Sequence, residues 1–244
     1  MSAPRFFCAA AFVPGSRTAL PEAVFHHAVR VRRLRSGDAL VLFSGDGSET
    51  LVRLVMVARN EADIEVLSRA LVDRESPIAV TLLQGISSGD RMDYTLQKAV
   101  ELGVAAIVPV VAERSIVRLS GERAEKRNIH WCEVVISGCE QCGRNRIPEV
   151  SPVMSLGEAL SVSVTAISDR FVLSVANGRR IRDCARPTGP IALLAGPEGG
   201  LSPAEESAAR DAGFVALSLG PRVLRTETAA VAALAAIQAL WGDG

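Results

Sequence analysis

Lysine is nearly missing from this chain: Lys98 and Lys126 are the two lysines among 27 basic residues, and arginine supplies the rest. The glycine-rich stretch Gly196-Pro197-Glu198-Gly199-Gly200 therefore has no lysine to reach a phosphate, which excludes a phosphate loop. It also fails the G-x-G-x-x-G spacing, so a pyrophosphate- or triphosphate-bearing cofactor is disfavoured. Net charge is missing too. The 27 basic residues meet 27 acidic ones, so the whole molecule has no long-range pull on a polyanion, and any nucleic-acid binding must come from a local patch. Arginine suits such a patch, because its planar fork donates two parallel hydrogen bonds; codon bias is the plainer explanation of its excess.

Several other features are absent. The five cysteines are odd in number and irregular in spacing, which disfavours a disulfide framework and favours a reducing compartment. Cys139-x-x-Cys142 has no second pair and no histidine at ligand spacing, so no metal site is expected and both cysteines are read as small apolar fillers. The apolar stretch after Arg5 is at the short limit for a signal peptide and reads better as a strand. The longest uncharged apolar run, reaching to Trp241, is too short to cross a bilayer. A cytoplasmic protein without a membrane partner is expected. There is no internal repeat and no low-complexity segment.

What is present is ordinary globular material: 244 residues, 48% hydrophobic and 22% charged, enough for one large domain or two smaller ones. A charged segment ending at Pro77 divides it, and the expected domains are 1–73 and 74–244. Upstream, short strands such as 39–43, 50–57 and 64–67 alternate with turns, and Asp46-Gly47 marks a hairpin. A small barrel is the natural closure for such strands. Downstream, nearly all-apolar strands alternate with helical spacings, which predicts an α/β domain with a parallel sheet covered on both faces.

Ligands of open parallel sheets bind at the carboxyl ends of the strands, so the loops there are the candidate sites. The first is residues 196–203, where Ser202, Pro203 and Glu205 start a helix with a capping box. A plain strand-to-helix turn is the alternative, but it needs one glycine rather than three. The second is Leu219-Gly220-Pro221-Arg222-Val223-Leu224-Arg225-Thr226-Glu227, with Thr226 as the expected cap of the last helix. The third, residues 112–115, should emerge on the same edge. Two further elements carry chemistry. Glu140-Gln141 with Arg144, Asn145 and Arg146 puts donors, an acceptor and charge in one loop. His26-His27 leads into Arg30, Arg32, Arg33 and Arg35, interleaved with Val31 and Leu34; this is either a phosphate-facing element or a solvated face.

Together these residues resemble the RsmE family, SPOUT-class methyltransferases that make N3-methyluridine in 16S ribosomal RNA. The resemblance extends to Pro4-Arg5-Phe6-Phe7, Gly89-Asp90-Arg91-Met92-Asp93, the stretch Gln97 to Val104 and Glu140-Gln141-x-Gly143-Arg144. It covers essentially the whole chain; Cys142 departs from the serine-like residue expected there. It implies a C-terminal SPOUT domain with a parallel sheet and trefoil knot, preceded by a small PUA-like β-barrel domain. It also implies a homodimer acting on the small ribosomal subunit, with S-adenosylmethionine held near the subunit interface. Carried onto this chain, the cofactor residues are Leu194, Gly196, Glu198, Gly199, Leu219, Gly220, Arg222, Leu224 and Thr226. Arg144 or Arg225 is the expected partner of the uracil oxygens, with Glu140 as base or orienter, and Arg5, Arg30, Arg32, Arg33 and Arg35 are the expected RNA contacts. The competing readings are a SPOUT enzyme acting on ribose or on transfer RNA, and a catalytically silent RNA-binding assembly factor.

Overall fold

The computed structural model describes residues 3–162, 167, 169–175 and 178–244. The chain forms two units: residues 1–75 with 139–147, and residues 76–138 with 148–244.

The first unit contains β1 (Arg5–Phe7), β2 (Arg17–Ala19), α1 (Glu22–Phe25) running into a π-helical stretch His26–Val31, β3 (Ala39–Phe43), β4 (Ser48–Val57) and β5 (Ala62–Leu71). The PUA-like barrel that the resemblance implies takes the form of a five-stranded mixed sheet in the order β1-β3-β4-β5-β2, with β1 parallel to β3 and the other pairs antiparallel. Period-two alternation sends Leu40 and Leu42, Val52 and Leu54, and Ile64 and Val66 into one core with Phe6 and Phe25. The hairpin expected at Asp46-Gly47 joins β3 to β4. Gly45 and Gly47 both adopt positive φ there, and the Asp46 carboxylate accepts the Ser48 backbone N–H at 2.8 Å. The first strand is shorter than the apolar run that encodes it.

In the arginine run, Ala28 is buried, and Val29 and Leu34 pack on the core. Val31, interleaved in the same run, is 62% exposed. The π-helical winding of this stretch departs from the 3.6-residue turn of an α-helix.

The second unit contains β6 (Val80–Gly85), α2 (Asp90–Glu101), β7 (Ala106–Val111) and the body of α3 (Gly121–Cys142). The chain continues with β8 (Glu149–Val150), β9 (Met154–Ser155), α4 (Leu156–Val162), β10 (Asp169–Leu173), β11 (Arg179–Arg180), β12 (Ile191–Ala195), α5 (Pro203–Asp211), β13 (Val215–Ser218) and α6 (Thr226–Trp241). Its sheet runs β11-β13-β10-β12-β6-β7-β8, with β9 also beside β7, and every pairing is parallel. All five residues of β12 are buried, so both faces of the sheet are covered at its centre. Parallel pairing also brings the carboxyl ends of β6, β7, β10, β12 and β13 to one edge. No described helix is long and apolar enough to cross a membrane.

Candidate functional site

That edge holds a cavity of about 610 Å³. Its wall is built from residues 196–201 after β12, Leu219, Gly220 and residues 222–225 after β13, the first turn of α6, Leu173 to Val175 at the end of β10, and Arg91 and Arg114. The three loops singled out in the sequence therefore meet. Arg114 Nη1 donates to the Leu201 carbonyl at 3.2 Å, and the Glu113 N–H donates to Glu205 Oε1 at 2.7 Å.

Close backbone approach explains the glycines. A Cβ on Gly199 would lie 2.8 Å from both the Arg114 Cβ and its carbonyl oxygen, and one on Gly85 would lie 2.7 Å from the Gly196 carbonyl carbon. No larger residue fits either place without moving main chain. The helix after the first loop starts as expected: Ser202 Oγ accepts the Glu205 N–H, and the Glu205 carboxylate accepts the Ser202 N–H at 2.8 Å.

Thr226 corrects an expectation. The residue at the cap of α6 is Arg225, without a side-chain cap, and Thr226 is the first helical residue. Its hydroxyl donates to the Gly196 carbonyl at 2.6 Å and accepts from Gln84 Nε2 at 3.1 Å. It thereby ties the second loop to the first and to the end of β6.

Gly196, Glu198, Gly199, Leu219, Gly220, Arg222, Leu224, Arg225 and Thr226 all line the cavity. Leu194 does not: its side chain is fully buried in the core, and the neighbouring Ala195 reaches the wall. Glu198 Oε1 accepts the Ser88 backbone N–H at 2.8 Å, the Ser88 hydroxyl at 3.0 Å and Arg91 Nη1 at 3.3 Å. Burial works against its charge, but these hydrogen bonds outweigh burial and hold the carboxyl below the ordinary glutamate range. Arg91 entered the sequence reading only within the family resemblance, and Ser88, Ser174 and Val175 were not singled out, although residues 174–175 and 86–88 follow apolar strands and the strand-end rule reaches them.

The remaining candidates belong to the first unit. Arg144 is 4% exposed and pairs with Glu75 through Nε at 3.2 Å and through Nη2. Glu140 Oε1 accepts the Phe7 N–H at 2.9 Å. Arg5 departs from what an RNA-contacting arginine requires: it is largely buried, paired with Glu49 at 2.8 Å, bonded to Asn145 Oδ1 and stacked 5.2 Å over Phe43. Arg30, Arg32, Arg33 and Arg35 are exposed, with Arg30 lying over the Phe25 ring. Cys139 is fully buried, and burial pushes its thiol up to about 12. Among the described residues, no group of three or more His, Cys, Asp or Glu is placed to hold a metal ion.

Comparison with known proteins adds three relatives. An RNA methyltransferase domain model matches residues 74–238, and an RNA methyltransferase PUA domain model matches residues 20–67. The Ribosomal RNA small subunit methyltransferase E of Bacillus subtilis is 34% identical over 219 residues, 87% of this chain and 86% of its own length. The crystal structure of a Ribosomal RNA small subunit methyltransferase E from Neisseria gonorrhoeae bound to S-adenosyl methionine is 44% identical, with a TM-score of 0.92 over 99% of both chains. A Legionella pneumophila structure in complex with bound SAM is 37% identical, with a TM-score of 0.94 over 100% of both chains.

Proposed function

The chain belongs to the RNA methyltransferase family, and from that premise we propose that it carries a methyl group from S-adenosylmethionine to N3 of a uridine in 16S ribosomal RNA of the small subunit. The observation that carries this reading is the glycine-walled cavity at the carboxyl ends of the parallel strands, in a chain whose full length matches a relative bound to that donor.

The wall suits such a ligand. Its volume, about 610 Å³, lies within the roughly 300–1,000 Å³ usual for small-molecule sites. Gly200, where a Cβ would meet nothing within 4 Å, and Gly220, where it would meet only the end of Arg222 at 3.9 Å, leave main chain open to a ligand, and Arg222 and Arg225 offer positive charge for a carboxylate or an RNA group.

The bound donor supplies a methyl group already activated on a sulfonium. The protein must then align the acceptor, let the N3 proton leave, and hold the negative charge that develops on the uracil oxygens. Alignment is an entropic contribution supplied by the rigid loop ties through Thr226 and Arg114. Charge stabilisation is assigned to Arg225, an exposed residue on the cavity wall with no carboxylate at ion-pair distance among the described residues. Arg144 and Glu140 are assigned instead to the framework of the first unit, since Glu75 and the Phe7 N–H already engage them. The N3 proton passes to solvent before transfer, so the rate should rise with pH. Arg30, Arg32, Arg33 and Arg35 contact phosphates, and the working species is a homodimer.

Unmodified small subunits incubated with labelled donor test this reading. Nucleoside mass spectrometry should find N3-methyluridine at one position of 16S RNA. Label on ribose or in transfer RNA would overturn the assignment. Because the chain carries no net charge, the assembled subunit should be preferred, and bare transcript methylated equally well would contradict that preference.

A further inference from the structure

Among the described residues, three buried side-chain atoms around the two glycine loops have no hydrogen-bond partner: Gln84 Oε1, Glu198 Oε2 and Glu227 Oε2. All three are acceptors, and two are carboxylate oxygens of residues on the cavity wall. A carboxylate oxygen sealed from water without a donor is costly, and a positive charge brought into the cavity that Glu198 and Glu227 line offsets that cost. Glu198 is partly accounted for, because its other oxygen takes Ser88 and Arg91. Glu227 is not. Among the described residues it has no ion pair and no side-chain hydrogen bond. Its place in the first turn of α6 favours an acid there through the exposed N–H groups of the helix, but that supplies no donor to its buried oxygen.

Taking the cavity as the methyl-donor site, as proposed above, the unused charge has an evident object. Transfer breaks the S–CH3 bond, and both its electrons stay on sulfur. The new N–CH3 bond uses the pair left on N3 after its proton goes to solvent. The sulfonium thus becomes a neutral thioether, while the adenosine, amino and carboxylate groups of the cofactor are unchanged. Donor and product differ by one methyl and one unit of charge. A contact to the shared carboxylate cannot tell the two apart, whereas a charged group near the sulfur can.

We propose that Glu227, backed by Glu198, makes the cavity hold the sulfonium donor in preference to the thioether product, so that the reaction itself loosens the grip on the spent cofactor. Calorimetric affinities for S-adenosylmethionine, S-adenosylhomocysteine and sinefungin, which carries an ammonium near the sulfonium position, test this on the full-length protein. Glu227→Gln should weaken the two cationic ligands relative to the thioether by about tenfold, equivalent to about 1.4 kcal/mol, and should leave the thioether affinity close to the parent's. Glu227→Asp, which keeps the charge but withdraws it by one methylene, should lower the same ratio by roughly threefold, about 0.7 kcal/mol. This second variant supplies the answer if the first does not fold. An unchanged ratio, or an equal loss for all three ligands, sinks the inference while leaving the cavity's identity intact. A parent protein that binds none of the three overturns the cavity assignment and this inference together.

Discussion

The ionic network around Glu49 and Glu75 in the first unit and the loop after β13 in the second use arginine in opposite ways. In the first, Arg5, Arg74 and Arg144 are spent on carboxylates. Glu49 Oε2 alone receives Arg5 at 2.8 Å, Arg74 at 2.9 Å and Asn145 at 3.2 Å, and Arg144 is locked to Glu75. In the second, Arg222 and Arg225 stand on the cavity wall with no carboxylate at ion-pair distance among the described residues. An arginine tied to a carboxylate holds shape, and an unpaired one in a cavity is available to a ligand. Sequence motifs record the residue type and are silent on which of these uses applies.

The sharpest break in that comparison comes from paired truncations. Arg225→Ala should lower the single-turnover methylation rate by about 10²–10³-fold, with donor affinity and unfolding midpoint near the parent's. Equal loss from Arg144→Ala at unchanged stability would abolish the distinction drawn here. The expected outcome for Arg144→Ala is instead a loss of about 3 kcal/mol in urea unfolding, because Glu75 is left without its partner.

Acid should expose the same contrast with a smaller effect. Burial would raise the Glu49 carboxyl, but Arg74, Arg5 and Asn145 lower it from 4.5 to about 2. A depressed carboxyl contributes stability that is complete above its unfolded value and disappears as the pH falls through the folded one. Glu49 should therefore supply about 2–3 kcal/mol at neutral pH, lost between about pH 4.5 and 2. Glu49→Gln should flatten the stability profile over that window and be less stable at pH 7; an unchanged profile would rule the contribution out. At the small end, Lys126 sits 3.8 Å from Glu122 on an open helix face, and Lys126→Ala should change stability by less than about 0.5 kcal/mol. A larger change would show that exposed pairs matter here as much as buried ones.

Much of the second unit was legible in the sequence, because central parallel strands are apolar throughout and a capping box marks the start of α5. The same apolarity hid detail. A strand buried on both faces carries no alternation, so nothing local distinguishes Leu194, in the core, from Ala195, on the wall. Thr226 was ambiguous for a related reason: a hydroxyl at a helix start serves equally as a cap or as a tie to another loop. The first unit was legible in its core and illegible in its ionic network. Arg5 and Asn145 stand 140 positions apart, and no periodicity connects them. The exposed state of Arg30 to Arg35 was left open in the sequence, since a charge run reads alike on a working face and an idle one.

The return of residues 139–147 to the first unit has a consequence for synthesis. A ribosome delivers the chain from its amino end, so the strands of the first unit emerge well before Asn145 exists to bond Glu49 and the Val72 carbonyl. Until then Arg5 and Arg74 have the Glu49 carboxylate but lack the segment that completes their cage. Maturation of the amino-terminal unit must therefore wait for translation to pass residue 147, and a nascent chain halted earlier would present that unit unfinished.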